Sequence, residues 1–282
     1  MGAADQRIWR QHSRMEARVL ITAEALRRIA RRQGLPAGIV EKDYALSWFL
    51  ADTYKNALLK DALLFKGGTA LKKVYFPETW RLSHDLDFTV VGTLKPNTIR
   101  QGFTQVFKTI TQNNGLVFSL DAFHVTKGSA IASLQFTGPL VHKNRIRIDL
   151  TLDEKLLFSP EWKLVTTDYP DLPEFSVNVY GLKEILIEKL RSLFQRGKSR
   201  DYYDVWRLLA QNRFDMNEVA KLLIKKCELN DIPYTPALIF DGKQLDDARR
   251  HWQQSLGELT TELSSFDDVI SDLKKKLVLT SA

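Results

Sequence analysis

The chain has one cysteine, Cys227, among 282 residues. That excludes an intrachain disulfide framework and any zinc cluster built on thiolates, so metal chemistry has to rest on oxygen ligands. Cys227 itself reads as a small buried apolar residue. Histidine is scarce too, with five in all, and no Ser/His/Asp or Cys/His catalytic set emerges. No apolar run approaches the length of a membrane span, and Met1 to Arg10 lacks the apolar core of a signal peptide. The expectation is a soluble protein of the cytoplasm. There are no internal repeats, no low-complexity segments and no exposed apolar heptad pattern, so a monomer is the expected state.

What the chain does have is apolar content and positive charge. At 44% hydrophobic residues it can bury a full core, as one large domain or two smaller ones. Its net charge of +7 is unevenly spread. Arg7, Arg10, Arg14, Arg18, Arg27, Arg28, Arg31 and Arg32 crowd the first 40 residues, opposed by Asp5, Glu16 and Glu24. Such a basic helix attracts phosphate backbones, or it is a solvated face; a phosphate-handling site elsewhere in the chain favours nucleic acid.

The periodicity predicts a helix over 15–33, with Val19, Leu20, Ala23, Leu26, Ile29 and Ala30 on one side, stopped by Gly34 and Pro36. A second helix is expected over about 37–56, and its charged triplet Glu41-Lys42-Asp43 reads as capping and surface pairing. The pattern then changes. Ala62 to Lys66 is a short apolar strand, Gly67-Gly68 a turn, and Thr69 to Tyr75 a helix closed by Phe76-Pro77. In Asp85 to Val91 the side chains alternate, which sends Asp85, Asp87 and Thr89 to one face and Leu86, Phe88 and Val90 to the other. Pro96 to Asn113 reads as helix, and Ala130 to Phe136 and Arg145 to Leu152 as strands. In the second of these, Asp149 shares the polar face with Arg145 and Arg147. A loop punctuated by Pro160, Pro170 and Pro173 leads to a short strand, Ser176 to Tyr180. The remainder is almost wholly helical.

Phe65-Lys66-Gly67-Gly68-Thr69-Ala70-Leu71 and Arg81-Leu82-Ser83-His84-Asp85-Leu86-Asp87-Phe88-Thr89 form the most informative pair of segments. A glycine-rich turn opening a helix offers N–H groups to phosphate, and carboxylates two residues apart on a strand offer oxygens to Mg²⁺. Together with Asp149 they describe a site for a metal-bound nucleoside triphosphate. Plain alternatives stand beside each part: a strand-to-helix turn for Gly67-Gly68, and an ion pair with a neighbouring arginine for Asp149. His84 is expected to turn away from the carboxylates by strand alternation. On the helix Leu182 to Phe194, Lys189 falls on the apolar arc and needs an anion, supplied by Glu188, by a strand aspartate or by a triphosphate. On the next helix, with Ser199 expected as its N-cap, Asp201 suits the first turn. Asp204 lies on the buried side, where a carboxylate is harder to explain structurally.

With Glu41-Lys42-Asp43-Tyr44, Glu188-Lys189-Leu190-Arg191 and Arg200-Asp201-Tyr202-Tyr203-Asp204 added in order, these segments resemble the AbiEii/AbiGii toxin family, which includes the mycobacterial MenT toxins. The resemblance covers roughly residues 40 to 210. It implies an α/β (α+β) fold: a polymerase-β-type nucleotidyltransferase mixed sheet with flanking helices over 1–180, and a C-terminal helical lobe over 181–282 that completes the active site. It also implies a toxin of a toxin–antitoxin or phage-defence system, with a cognate antitoxin as partner. Characterised members add nucleotides, pyrimidines among them, to the 3′ end of tRNA and block aminoacylation. On this resemblance Gly67, Gly68 and Thr69 cradle the NTP, with Lys66, Ser83, Asp149 and Asp201 in the nucleotide-contacting set. Asp85, Asp87 and Asp149 would hold Mg²⁺, or Mn²⁺ in its place. Lys189 would contact triphosphate oxygens, and Asp204 would complete the catalytic set.

Two further readings stay open at this stage, a metal-dependent glycosyltransferase, since Asp-x-Asp also binds nucleotide-sugars, and a catalytically silent RNA-binding module. Ser83, two residues before Asp85 and expected on the same strand face, would put a charge of about −2 beside the metal if phosphorylated.

Overall fold

The computed structural model describes residues 21–277. Arg7, Arg10, Arg14, Arg18, Val19 and Leu20 lie outside this range. Helix α1 (Ala23–Gln33) opens with Thr22 Oγ1 accepting from the Ala25 N–H and closes at Gly34, whose φ of 66° is the left-handed cap conformation. Its arginines, Arg27, Arg28, Arg31 and Arg32, are exposed while Leu26, Ile29 and Ala30 are buried.

Helix α2 (Ala37–Thr53) is buried over most of its length. The Glu41-Lys42-Asp43 triplet is therefore not the surface pairing that its charge suggests. Glu41 accepts from the Leu140 N–H at 2.6 Å, and Asp43 binds Lys73 at 2.8 Å and the Tyr169 hydroxyl at 2.8 Å. Both acids are less than 10% exposed and act as internal fasteners.

The sheet has seven strands: β1 (Leu63–Lys66), β2 (Asp85–Val90), β3 (Val117–Thr126), β4 (Ser129–Thr137), β5 (Lys143–Thr151), β6 (Glu161–Val165) and β7 (Phe175–Val179), in spatial order β3-β4-β5-β2-β1-β7-β6. It is mixed, since β2 runs parallel to β5 and β1 parallel to β7, while β1 and β2 are antiparallel. Strands β3 and β6 are additions to the sequence reading. Most of β3 is an exposed edge that shows little apolar alternation, and β6 has five residues inside what reads as a proline-rich loop. Between β1 and β2 runs a four-residue helix, α3 (Gly67–Ala70), continuing directly into a π-turn over Leu71–Tyr75. Helix α4 (Pro96–Asn114) starts with proline, tolerated there because its missing N–H has no intrahelical partner.

One sheet face is apolar. Leu86, Phe88, Ala132, Leu134, Ile146, Ile148 and Leu150 are buried. An aromatic chain ties this side to α2 and α4, with ring centroids 5.3 Å apart for Phe49–Phe103 and 5.9 Å for Phe118–Phe136. The opposite face carries Asp85, Asp87, Arg147 and Asp149, by the same alternation.

After β7 every described element is helical: α5 (Leu182–Gln195), α6 (Ser199–Gln211), α7 (Met216–Leu229), a 3₁₀ turn (Pro236–Phe240), α8 (Gly242–Arg250), α9 (Trp252–Leu256) and α10 (Phe266–Lys276). Helix α6 is the hub, packed on α5, α8, α9 and α10. Ser199 is its first residue and not its cap; the hydroxyl donates to the Ala248 carbonyl. Cys227 is buried as expected. No described helix is long and apolar enough to cross a membrane.

Candidate active site

The carboxylates come together through strand register. In the parallel β2–β5 pair, Asp87 lies beside Asp149 and Asp85 beside Arg147. Three aspartates therefore share one face of two adjacent central strands. Burial pushes the Asp87 carboxyl up to about 6, and the neighbouring Asp149 and Asp85 add to this, while Lys189 and Lys66 oppose it. A group in that position gains from any cation brought beside it.

The turn after β1 is shaped around Asp87. Gly67 has a φ of 77°, and a Cβ there would collide with the Asp87 carboxylate. A Cβ on Gly68 would meet Arg81 Nη2 at 2.9 Å. Thr69 is buried and its hydroxyl donates to the Asp85 carbonyl, which fastens the turn to the start of β2; Thr69 borders neither of the cavities described below. Lys66 Nζ lies 3.3 Å from Glu188 Oε2 and over the Tyr180 ring.

Helices α5 and α6 face this row with a second layer of charge. Lys189 is 12% exposed, 2.9 Å from Asp204 and 3.4 Å from Asp201. Burial disfavours its charge, but these two carboxylates more than offset that and raise its pKa. The anion that Lys189 needs thus comes from the next helix, not from Glu188 or a strand. Asp201 is likewise pushed up by burial, yet Lys189 and a bidentate Arg196 hold it below the ordinary carboxylate range.

Asp204 has no exposure at all and is gripped by Arg81 through both oxygens, Nε to Oδ1 at 2.9 Å and Nη2 to Oδ2 at 2.8 Å. It positions Arg81 and Lys189 and borders neither of the cavities that meet at the strand aspartates. Sequence reading placed Arg81 only inside a motif and gave it no role. Its importance lies in a partner far along the chain.

Two cavities meet at the aspartates. One, of about 310 Å³, is bordered by six cations, Arg81, Arg147, Lys189, Arg196, Lys198 and Arg200, against Asp85, Asp87, Asp149 and Asp201, and includes Gly68 and Ser83. The other, of about 410 Å³, lies between β4, β5 and α5 and shares Asp87, Arg147, Asp149, Lys189 and Arg196 with the first. Ser83 sits in the segment before β2, not on the strand, yet it borders the same cavity as Asp85. His84 also precedes the strand, so alternation does not govern it; burial, and then Lys42, lower its pKa to about 4. A larger cavity of about 680 Å³, bordered by Trp80, Trp206 and Arg207, contains none of the three strand aspartates.

The donor set suits Mg²⁺, which takes one or two protein carboxylates and completes its octahedron with water and phosphate oxygens. Asp85 and Asp87 provide that pair. Among the described residues no three acidic or histidine side chains are grouped closely enough to hold an ion by themselves. Asp149 is occupied by Arg147, whose Nε and Nη2 both reach Oδ1, at 3.1 and 2.8 Å, with Nε also 2.8 Å from Oδ2.

A family model described as "Nucleotidyl transferase AbiEii toxin, Type IV TA system" matches residues 48–272. Among solved structures the chain is similar to MenT4, a nucleotidyltransferase toxin from Mycobacterium tuberculosis H37Rv, with a TM-score of 0.69 and 18% identity over 92% of this chain and 89% of that one. At that identity the likeness is one of fold. An uncharacterized protein of Aquifex aeolicus (strain VF5) is 27% identical over 94 residues, 33% of this chain; the matched stretch spans 44% of that relative, less than half its length.

Proposed function

The chain belongs to the AbiEii nucleotidyltransferase toxin family, and from that premise we propose that it transfers a nucleoside monophosphate from an NTP to the 3′ hydroxyl of an RNA, the 3′ end of tRNA, and so blocks translation. The observation that carries this reading is the register of Asp87 beside Asp149, with Asp85 two residues away and six cations, Lys189 among them, bordering the same cavity.

Bound Mg²⁺ would be held by Asp85 and Asp87 and would neutralise phosphate charge while lowering the pKa of the acceptor hydroxyl. The chain's own residues do the rest. Gly67 and Gly68 let the backbone approach closely, and the cations of the smaller cavity favour a polyanion. Lys189, fixed by Asp201 and Asp204, presents its charge at the junction of the two cavities. In the reaction the RNA oxygen bonds to the α-phosphorus and the bond to the bridging oxygen breaks. Pyrophosphate leaves, and the hydroxyl proton passes to a carboxylate of the aspartate row. The helical segment from residue 181 serves as the lobe that closes the site. Exposed Arg27, Arg28, Arg31 and Arg32 extend the basic surface available to RNA. An antitoxin partner follows from the toxin–antitoxin family.

The test is incubation of the full-length protein with tRNA, Mg²⁺ and each NTP radiolabelled at the α-phosphate, with Asp87→Ala in parallel. Label should enter RNA only with the unmodified protein and should be abolished by EDTA. Absence of label with every NTP would leave a silent RNA-binding module as the better reading.

A further inference from the structure

We propose that Arg147 is a resident counter-ion of the aspartate row, which holds Asp149 while no nucleotide is bound and transfers its guanidinium to a phosphate oxygen when the metal–nucleotide arrives. This rests on the nucleotidyl-transfer reading and adds to it a specific role for one of the cations that border the cavity.

The register makes the arrangement specific. Arg147 lies beside Asp85, and Asp149 beside Asp87, so the arginine is on the same face as all three carboxylates. Neighbouring strands are about 4.8 Å apart, a separation at which adjacent carboxylates repel. A cation on the same face relieves that repulsion when no metal is present. The Arg147–Asp149 contact is a fork, with distances of 2.8 to 3.1 Å. The same planar fork fits phosphate as well as carboxylate, and a change of partner therefore needs no change of chemistry.

Exposure separates Arg147 from Arg81. Its side chain is 53% exposed, against 2% for Arg81. Arg81 is locked on Asp204, whereas Arg147 borders both cavities and is restrained on one side only. Its hold on Asp149 leaves Asp85 and Asp87 as the carboxylates for an ion in this state, with Arg200 Nη1 3.7 Å from Asp85 Oδ2. Arrival of a triphosphate offers Arg147 a more highly charged partner, and its departure gives Asp149 back to the row.

The test is Mn²⁺ binding to the full-length protein followed by electron paramagnetic resonance, for wild type, Arg147→Ala, Asp149→Asn and the double variant, without nucleotide and with a non-hydrolysable NTP analogue. Without nucleotide, Arg147→Ala should bind Mn²⁺ roughly three- to five-fold more tightly, the worth of a well-aligned, half-exposed ion pair. That gain should vanish in the Asp149→Asn background. With the analogue the sign should reverse, and Arg147→Ala should bind the nucleotide about tenfold more weakly, with Arg147→Lys in between. Equal Mn²⁺ affinity of wild type and Arg147→Ala without nucleotide would overturn the proposal and leave nucleotidyl transfer standing. So would a gain that persists in the double variant. If neither wild type nor any variant bound Mn²⁺ with the analogue, the metal–nucleotide reading itself would fail, and this proposal with it.

Discussion

Arg81 and Asp204 are separated by 123 positions in the chain and meet as a buried bidentate pair, 2% and 0% exposed. The segment before β2 is thereby joined to the middle of α6, and Lys189 is drawn to the same carboxylate. Removing Arg81 leaves the buried Asp204 carboxylate with Lys189 as its remaining cation, where water cannot reach it. Arg81→Met should lower stability by about 3–5 kcal/mol, measured by urea unfolding, and Arg81→Lys should fall between it and wild type because an ammonium cannot reproduce the fork. Unfolding midpoints within error of wild type would contradict the pair's structural weight.

Gly67→Ala tests the turn. The left-handed backbone would cost about 1–2 kcal/mol, and the new Cβ would displace the Asp87 carboxylate. Gly92→Ala is the matched control, since its φ is 74° but nothing lies within 4 Å of the added carbon. The two variants should lose similar stability. Only Gly67→Ala should lose transfer activity, by about 100-fold, as expected for a misplaced reacting group. Equal activity in the two would show that the Asp87 position is not critical.

The pH dependence of stability holds two opposed contributions. Asp87, raised to about 6, binds a proton in the folded chain that the unfolded chain releases near 4, so its contribution to stability falls as pH rises from 4 to 6. His84, lowered to about 4, is neutral in the folded chain where the unfolded chain is still protonated, so its contribution rises over pH 4 to 6.5. Chemical denaturation without metal should show the Asp87→Asn variant gaining stability relative to wild type as pH increases through this window, by about 3 kcal/mol at most. The His84→Gln variant should show the opposite trend in its own difference from wild type. Parallel curves for all three proteins would refute both assignments.

A second buried network lies behind the cavity of about 410 Å³. Lys226, wholly buried, contacts Glu154 at 2.8 Å, Glu184 at 2.7 Å and Glu188 at 3.5 Å, and Glu188 in turn holds Lys66. Lys226→Met leaves those glutamates short of one cation and should destabilise by about 3–5 kcal/mol. Partial recovery is expected when Glu184→Gln is added, read from thermal melts of the single and double variants.

Ser83→Glu should suppress nucleotide binding, because the side chain borders the cavity of Asp85 and Asp87 and would add negative charge where a polyanion has to enter. Calorimetric titration with the NTP analogue would detect it, and unchanged affinity would remove Ser83 as a point of control.

Legibility followed the range of the interactions. Asp85 and Asp87 were readable because a two-residue spacing on a strand fixes their common face, and Asp149 because its own strand alternates cleanly. The turn at Gly67 was readable from local backbone chemistry. Lys189 could be recognised as inward-facing from helical period, but its partners on α6 could not, since no local rule links two helices. Arg81 went unassigned for the same reason. Glu41 and Asp43 were misjudged as surface charges because a charge triplet looks solvated unless Leu140, Lys73 and Tyr169 are known to be waiting for it. Strands β3 and β6 escaped because edge strands lack the two-sided burial that produces an apolar pattern.

The residues around the aspartate row are made at different times. A chain growing from its N-terminus acquires Asp85, Asp87 and Asp149 first, and only later Lys189, Asp201 and the Asp204 that holds Arg81 in place. A ribosome-bound fragment ending before α5 therefore carries the carboxylates without the cation opposite them, and with Arg81 lacking its partner. The charged layer opposite the aspartates is therefore assembled only once synthesis has passed Asp204, in the middle of α6.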